Sequence, residues 1–120
     1  MTKILNLTQH VGTPEQVADG LFEPKDKGII QRFLTFSTVP EKENIWERAK
    51  VLADMAQAEN AEKALIGGAL WLMHPLSVEL RKRGITPVFS FSVRESIDVP
   101  QDDGTVIKKA VFKHKAFFEA

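Results

Sequence analysis

A chain of 120 residues with a hydrophobic fraction of 43% has the size of one ordinary domain and can bury a single core without covalent staples. Lys plus Arg and Asp plus Glu each number 16, so the formal net charge is zero and no whole-molecule field steers the chain toward long nucleic acid. The absence of cysteine excludes disulfides, thiolate zinc sites, iron–sulfur clusters and cysteine nucleophiles, and with no signal-like leader and no apolar run near the ~20 residues that span a bilayer, the sequence predicts one soluble, cytoplasmic domain over residues 1–120 with no membrane partner.

Ile4, Leu5 and Leu7 predict a short strand from Lys3 to Leu7 that ends in the polar triplet Thr8-Gln9-His10. Thr13-Pro14-Glu15-Gln16 is a helix start, with Thr13 as N-cap, Pro14 in the first turn and Gln16 completing a capping box, and Gly20 closes that helix. Beyond a polar turn around Pro24, Ile29, Ile30, Phe33 and Leu34 recur at helical spacing and run into Thr35-Phe36-Ser37, where an extended conformation is open. Thr38-Val39-Pro40-Glu41 repeats the capping logic. Ile45, Ala49, Leu52, Ala53 and Ala56 then form one apolar stripe, while Glu47, Arg48, Lys50, Asp54 and Glu59 face water, which predicts a helix docked on a sheet.

Lys63 to Ala69 is a short apolar run that stops on Gly67-Gly68, the pattern of a central strand buried on both faces. The two glycines allow a ligand to approach the main chain where the strand ends. Leu72, Leu76 and Leu80 predict the following helix, with Gly84 as its stop. Strand, glycine turn and helix is the local order of phosphate-binding turns, although neither a full G-x-G-x-x-G nor a G-x-x-x-x-G-K-[ST] is present. Ile85 to Val93 alternates, Val88, Ser90 and Ser92 on one face and Phe89, Phe91 and Val93 on the other, and ends in Arg94-Glu95-Ser96. Asp103-Gly104 signals a hairpin between Ser96–Val99 and Thr105–Phe118. In the return strand Val106, Ala110, Phe112, Ala116 and Phe118 share a face, with His114 among them, and Lys109, Lys113 and Lys115 project from the other. The layout predicts an α/β fold with a mainly parallel sheet and a C-terminal antiparallel hairpin. The polar endings Thr8-Gln9-His10, Gly67-Gly68 and Ser92 to Ser96 then converge in one crevice.

His10 in that crevice is either an acid or base, its ordinary pKa lying near neutrality, or a residue tying the first loop to the next helix. Arg94 either pairs with phosphate oxygens or forms an ion pair with Glu95 or a helix carboxylate. Ser92 and Ser96 have no Asp-His partner at a recognisable spacing and read as hydrogen-bond donors rather than nucleophiles. His74, beside Pro75, reads as structural, and His114 as a core histidine. Three scattered histidines give no metal-ligand spacing, so neither a metal nor another cofactor is expected. Trp46 and Trp71 read as core or interface anchors.

Ala64-Leu65-Ile66-Gly67, the helix through Leu72-Met73, Thr86-Pro87-Val88-Phe89 and above all Gly104 to His114, together with His10 and Thr13-Pro14-Glu15-Gln16 after the first strand, carry a resemblance. Over most of its length the chain resembles the small CRISPR-associated proteins of type III systems with a CARF-like Rossmann domain, the stand-alone ring-nuclease type. The resemblance implies a Rossmann-like three-layer sandwich and a homodimer that binds a cyclic oligoadenylate across its two-fold axis and cleaves it without metal. It carries over to His10, Gly67 and His114; at Gly68 the chain departs from a pattern in which an acidic residue often follows the glycine. On this reading His10 and Arg94 are the catalytic candidates, and Thr8, Gln9, Gly67, Gly68, Ser92, Ser96 and His114 contact the ligand. The alternatives are a module that sequesters a nucleotide without turnover, phage-borne in one version, and a small interaction protein.

Overall fold

Apolar strands without polar alternation require cover on both faces, and this chain supplies it unevenly. A computed structural model, which describes residues 2–120, orders the chain as β1 (Ile4–Leu7), α1 (Pro14–Ala18), β2 (Leu21–Phe22), α2 (Lys27–Leu34), α3 (Lys42–Ala58), β3 (Lys63–Ile66), α4 (Leu70–Lys82), β4 (Thr86–Pro100) and β5 (Val106–Glu119). The strands form one five-stranded sheet in the order β2-β1-β3-β4-β5. The first four are parallel and β5 runs antiparallel to β4.

Leu5 and Leu7 of β1 and Ala64 and Ile66 of β3 point to one face, where they pack with Ile30 and Leu34 of α2, Ala49, Leu52, Ala53 and Ala56 of α3, and Leu72, Leu76 and Leu80 of α4. The stripes read from the sequence are thus the buried faces of three helices. On the other face Ile4, Leu21, Leu65 and Val88 form a smaller cluster closed by Phe117. The helix on that side is α1, five residues long, held by the expected capping box: Thr13 accepts from the Gln16 N–H, and the Gln16 side chain accepts from the Thr13 N–H.

The carboxyl end of α4 is stapled to α3 by ions. Glu79 is only 3% exposed, and its carboxylate accepts from Arg83 Nη1 at 3.0 Å and Lys82 Nζ at 3.2 Å, while Arg83 Nε donates to Asp54 of α3 at 2.9 Å. The Arg83 hydrogen bond, with help from Lys82, outweighs burial and holds the Glu79 carboxyl below its ordinary range.

Three details differ from the sequence expectation. Leu21–Phe22 is a parallel edge strand too short to show any periodicity; Thr35, by contrast, is extended as the sequence allows, although no strand forms there. The strand expected to stop at Val93 instead runs unbroken to Pro100, pairing with β5 along its length from Val88↔Glu119 to Pro100↔Val106. Beyond the sheet this pair is a two-stranded ribbon with solvent on both sides, so its residues carry no clean apolar alternation to read. The ribbon stretches the molecule to 56 × 38 × 23 Å, with a radius of gyration of 16.7 Å against the ~14 Å of a compact chain this long. Finally, β5 contains a bulge: Ala116 pairs with Phe91 and His114 with Ser92, leaving Lys115 as the extra residue. The bulge turns His114 away from the face of Ala116 and Phe118 and onto that of Phe117, whose ring centroid lies 4.4 Å from the imidazole.

Candidate functional site

Register brings three strand ends together. Leu7 is level with Ile66 and Leu65 with Val88, so Thr8, Gly67 and Ser90 follow at the same height. Between them opens a cleft of about 400 Å³ lined by Thr8, Gln9, His10, Val11, Gln16, Leu65, Ile66, Gly67, Gly68, Phe89 and Ser90. Chain order reverses here, since β2 and β3 lie on opposite sides of β1. Ligands of open α/β sheets bind outside the carboxyl ends of the strands at such a reversal.

The loop after β1 is built on Asn6, a buried polar residue that the sequence reading passed over inside an apolar strand. Asn6 is 1% exposed; its Oδ1 accepts from the Thr8 N–H and hydroxyl, and its Nδ2 donates to the His10 carbonyl at 2.7 Å and to the Glu23 carboxylate. Lys27 Nζ donates to the carbonyls of Thr8 and His10 and pairs with Glu23 at 3.1 Å, and Glu23 also accepts from the Gly12 N–H. Burial alone would raise the Glu23 carboxyl, but hydrogen bonds from Asn6, Gly12 and Lys27 hold it below its ordinary range. The main chain of this loop is therefore fixed while the exposed His10 ring makes no hydrogen bond among the described residues. Gln9 Nε2 donates to Thr35 Oγ1 at the end of α2.

On the opposite wall Gly68 has φ of +119°, a conformation L side chains rarely adopt. Gly67 has no such constraint: a Cβ there would touch only Thr8 Cγ2, at 3.4 Å. The chain then enters α4 with Ala69 as N-cap and no side-chain capping bond, so the cap residue does not compete with a ligand for the first N–H groups of the helix.

The third wall holds an arrangement that the sequence did not reveal. Ser90 Oγ lies 2.6 Å from His114 Nδ1, and His114 Nε2 lies 2.9 Å from Asp19 Oδ2 at the end of α1. Gln16 Nε2 donates to Ser90 Oγ at 3.2 Å. Residues separated by 24 and 95 positions meet here through the β4–β5 pairing, whose hairpin turn Asp103-Gly104 announces, and through a bulge that no sequence motif marks.

Of the residues singled out by sequence, Thr8, Gln9, His10, Gly67 and Gly68 line the cleft. His114 lies behind the Ser90 wall with its side chain 2% exposed. Ser92, Arg94 and Ser96 stand out on the ribbon, because the strand does not end where they occur; four residues at strand rise place Arg94 about 13 Å beyond Ser90. Glu95 pairs with Lys115 rather than with Arg94. No described helix is long and apolar enough to cross a membrane.

No curated protein and no solved structure matches the chain. A family model spanning residues 2–118 does match, and by it the chain belongs to the uncharacterized protein MJ1673 family.

Proposed function

We propose that the cleft binds a cyclic oligoadenylate and cleaves it without metal, within a homodimer whose protomers have a Rossmann-like layering in which α1 forms the thinner second helical layer. The observation that carries this reading is the placement of the cleft at the strand-order reversal, between a rigid polar loop and the uncapped first turn of α4. That placement favours a nucleotide-type anion, and the family resemblance of the sequence narrows it to the cyclic class. In such a ring each ribose 2'-hydroxyl attacks the adjacent phosphorus. The protein then has to hold the in-line geometry, worth ~7 to 11 kcal/mol, and stabilise charge on the phosphoryl oxygens, which suits the N–H groups after Gly68. Purified protein incubated with cyclic tetra- and hexa-adenylate in EDTA is expected to yield linear products. No binding of either ring overturns the reading, and tight binding with intact ring recovered replaces it with sequestration.

A ring larger than one cleft needs a second protomer, and two-fold pairs are the commonest closed assembly. Leu70 and Trp71 at the start of α4 are 85% and 51% exposed beside the cleft, so Trp71 does not fill the monomer core; its ring meets that of Phe36 edge to face, with centroids 5.5 Å apart. An exposed apolar pair of this kind suits an interface. Light scattering is expected to give twice the chain mass at micromolar concentration, and Trp71→Glu a folded monomer with weaker ring binding. A monomeric wild type that still binds the ring would remove the dimer from the mechanism.

A further inference from the structure

Gln16 decides where the hydrogen of Ser90 points. Its Oε1 accepts from the Thr13 N–H, which leaves Nε2 facing Ser90, so Ser90 Oγ is an acceptor on that side. Asp19 accepts from His114 Nε2, so in the neutral ring Nδ1 carries the lone pair and takes the hydrogen bond of the Ser90 hydroxyl. The result is a serine oxygen in the cleft wall, backed by an imidazole whose other nitrogen is held by a carboxylate, with the two ring nitrogens exchanged relative to the usual hydrolase triad. His114 is buried beside α1, whereas the exposed His10 ring has no hydrogen-bond partner among the described residues to fix its tautomer.

We propose that Ser90, His114 and Asp19 form a proton relay for the cleft, with Ser90 the catalytic residue that touches the substrate and His114 and Asp19 positioning it and taking up its charge. The reaction assigned to it rests on the cyclic-oligonucleotide reading. The 2'-hydroxyl proton passes to Ser90 Oγ as Ser90 gives its own to His114 Nδ1, and the imidazolium is balanced by Asp19. The 2'-oxygen bonds to phosphorus, the bond from phosphorus to the 5'-oxygen breaks, and the proton returns through Ser90 to that leaving oxygen. The products are a 2',3'-cyclic phosphate and a 5'-hydroxyl, and no other reactant is consumed.

Two readouts test the relay on the intact protein. Diisopropyl fluorophosphate should label Ser90: Oγ bonds to phosphorus, the P–F bond breaks, fluoride leaves and the proton goes to His114. Peptide mass spectrometry should find the label on Ser90 in wild type and in Ser92→Ala. The label should be absent from Ser90→Ala, and Asp19→Asn, which conserves shape, should slow it about 10-fold. With cyclic tetra-adenylate, Ser90→Ala should lower kcat about 100-fold at nearly unchanged KM. Labelling of Ser90 that depends on Asp19, in a protein that leaves the ring intact, would retain the relay and refute the proposed reaction. Ring cleavage at wild-type kcat in Ser90→Ala and Asp19→Asn would overturn the relay and leave the proposed reaction standing. Neither Ser90 labelling nor Ser90-dependent turnover would also overturn the relay.

Discussion

Replacing Arg83 by alanine is expected to cost about 3 kcal/mol of unfolding free energy. The magnitude follows from what is left behind: Glu79, with a side chain 4% exposed, would keep a buried carboxylate whose remaining cation, Lys82, is 62% exposed. Replacing both buried partners by apolar residues of similar shape, Glu79→Leu with Arg83→Met, should recover most of that loss, because no uncompensated charge remains. The pH dependence has a fixed sign. The folded-state carboxyl of Glu79 lies below its ordinary range, so its contribution is complete above the unfolded pKa and is lost as pH falls through the folded one. Urea melts across acid pH should therefore show a steeper fall in stability for wild type than for the double variant. Equal stability of Arg83→Ala and wild type at neutral pH would refute the assignment.

Gly68→Val is expected to abolish ligand binding and to lower stability by about 2 kcal/mol, whereas Gly67→Ala should fold normally and only weaken binding. At φ of +119° a branched side chain strains the backbone whatever space surrounds it, and nothing lies within 4 Å of a Cβ at this position. At Gly67 the backbone accepts a side chain, and the added methyl would stand against Thr8 in the cleft lining. The two glycines, equivalent in the sequence, thus have different tasks. Chemical denaturation with a binding assay on cyclic tetra-adenylate separates them; a Gly68→Val variant with wild-type stability would show that the turn has another accessible conformation.

Elements that bury a continuous stripe were legible from the sequence. The Leu72-Leu76-Leu80 spacing, the alanine-rich face of α3 and the apolar run closed by Gly67-Gly68 each encode burial locally, and with them came the cleft at Thr8, Gln9, His10 and the two glycines. What was not legible depends on partners distant in the chain. Asn6 reads as a polar interruption until Glu23 and Lys27 are brought beside it. Ser90 looks like one member of an alternating strand until β5 delivers His114 and α1 delivers Asp19. The stop expected at Arg94 failed for a related reason: on a ribbon wet on both faces, a run of polar residues is compatible with continued pairing and no longer marks an end.

The bulge at Lys115 also has a mechanical meaning. Taking that residue out would leave every partner along β4 and β5 unchanged, since Ala116 would still face Phe91 and His114 would still face Ser92. What would alter is direction, because a bulge bends and twists its strand. From Ser92 to Pro100 the ribbon extends about 26 Å, so a turn of some 20° at its root would carry that end through about 9 Å. One residue beside the cleft therefore acts as the elbow of a lever, and its length rather than its chemistry determines where the far end of the arm can reach.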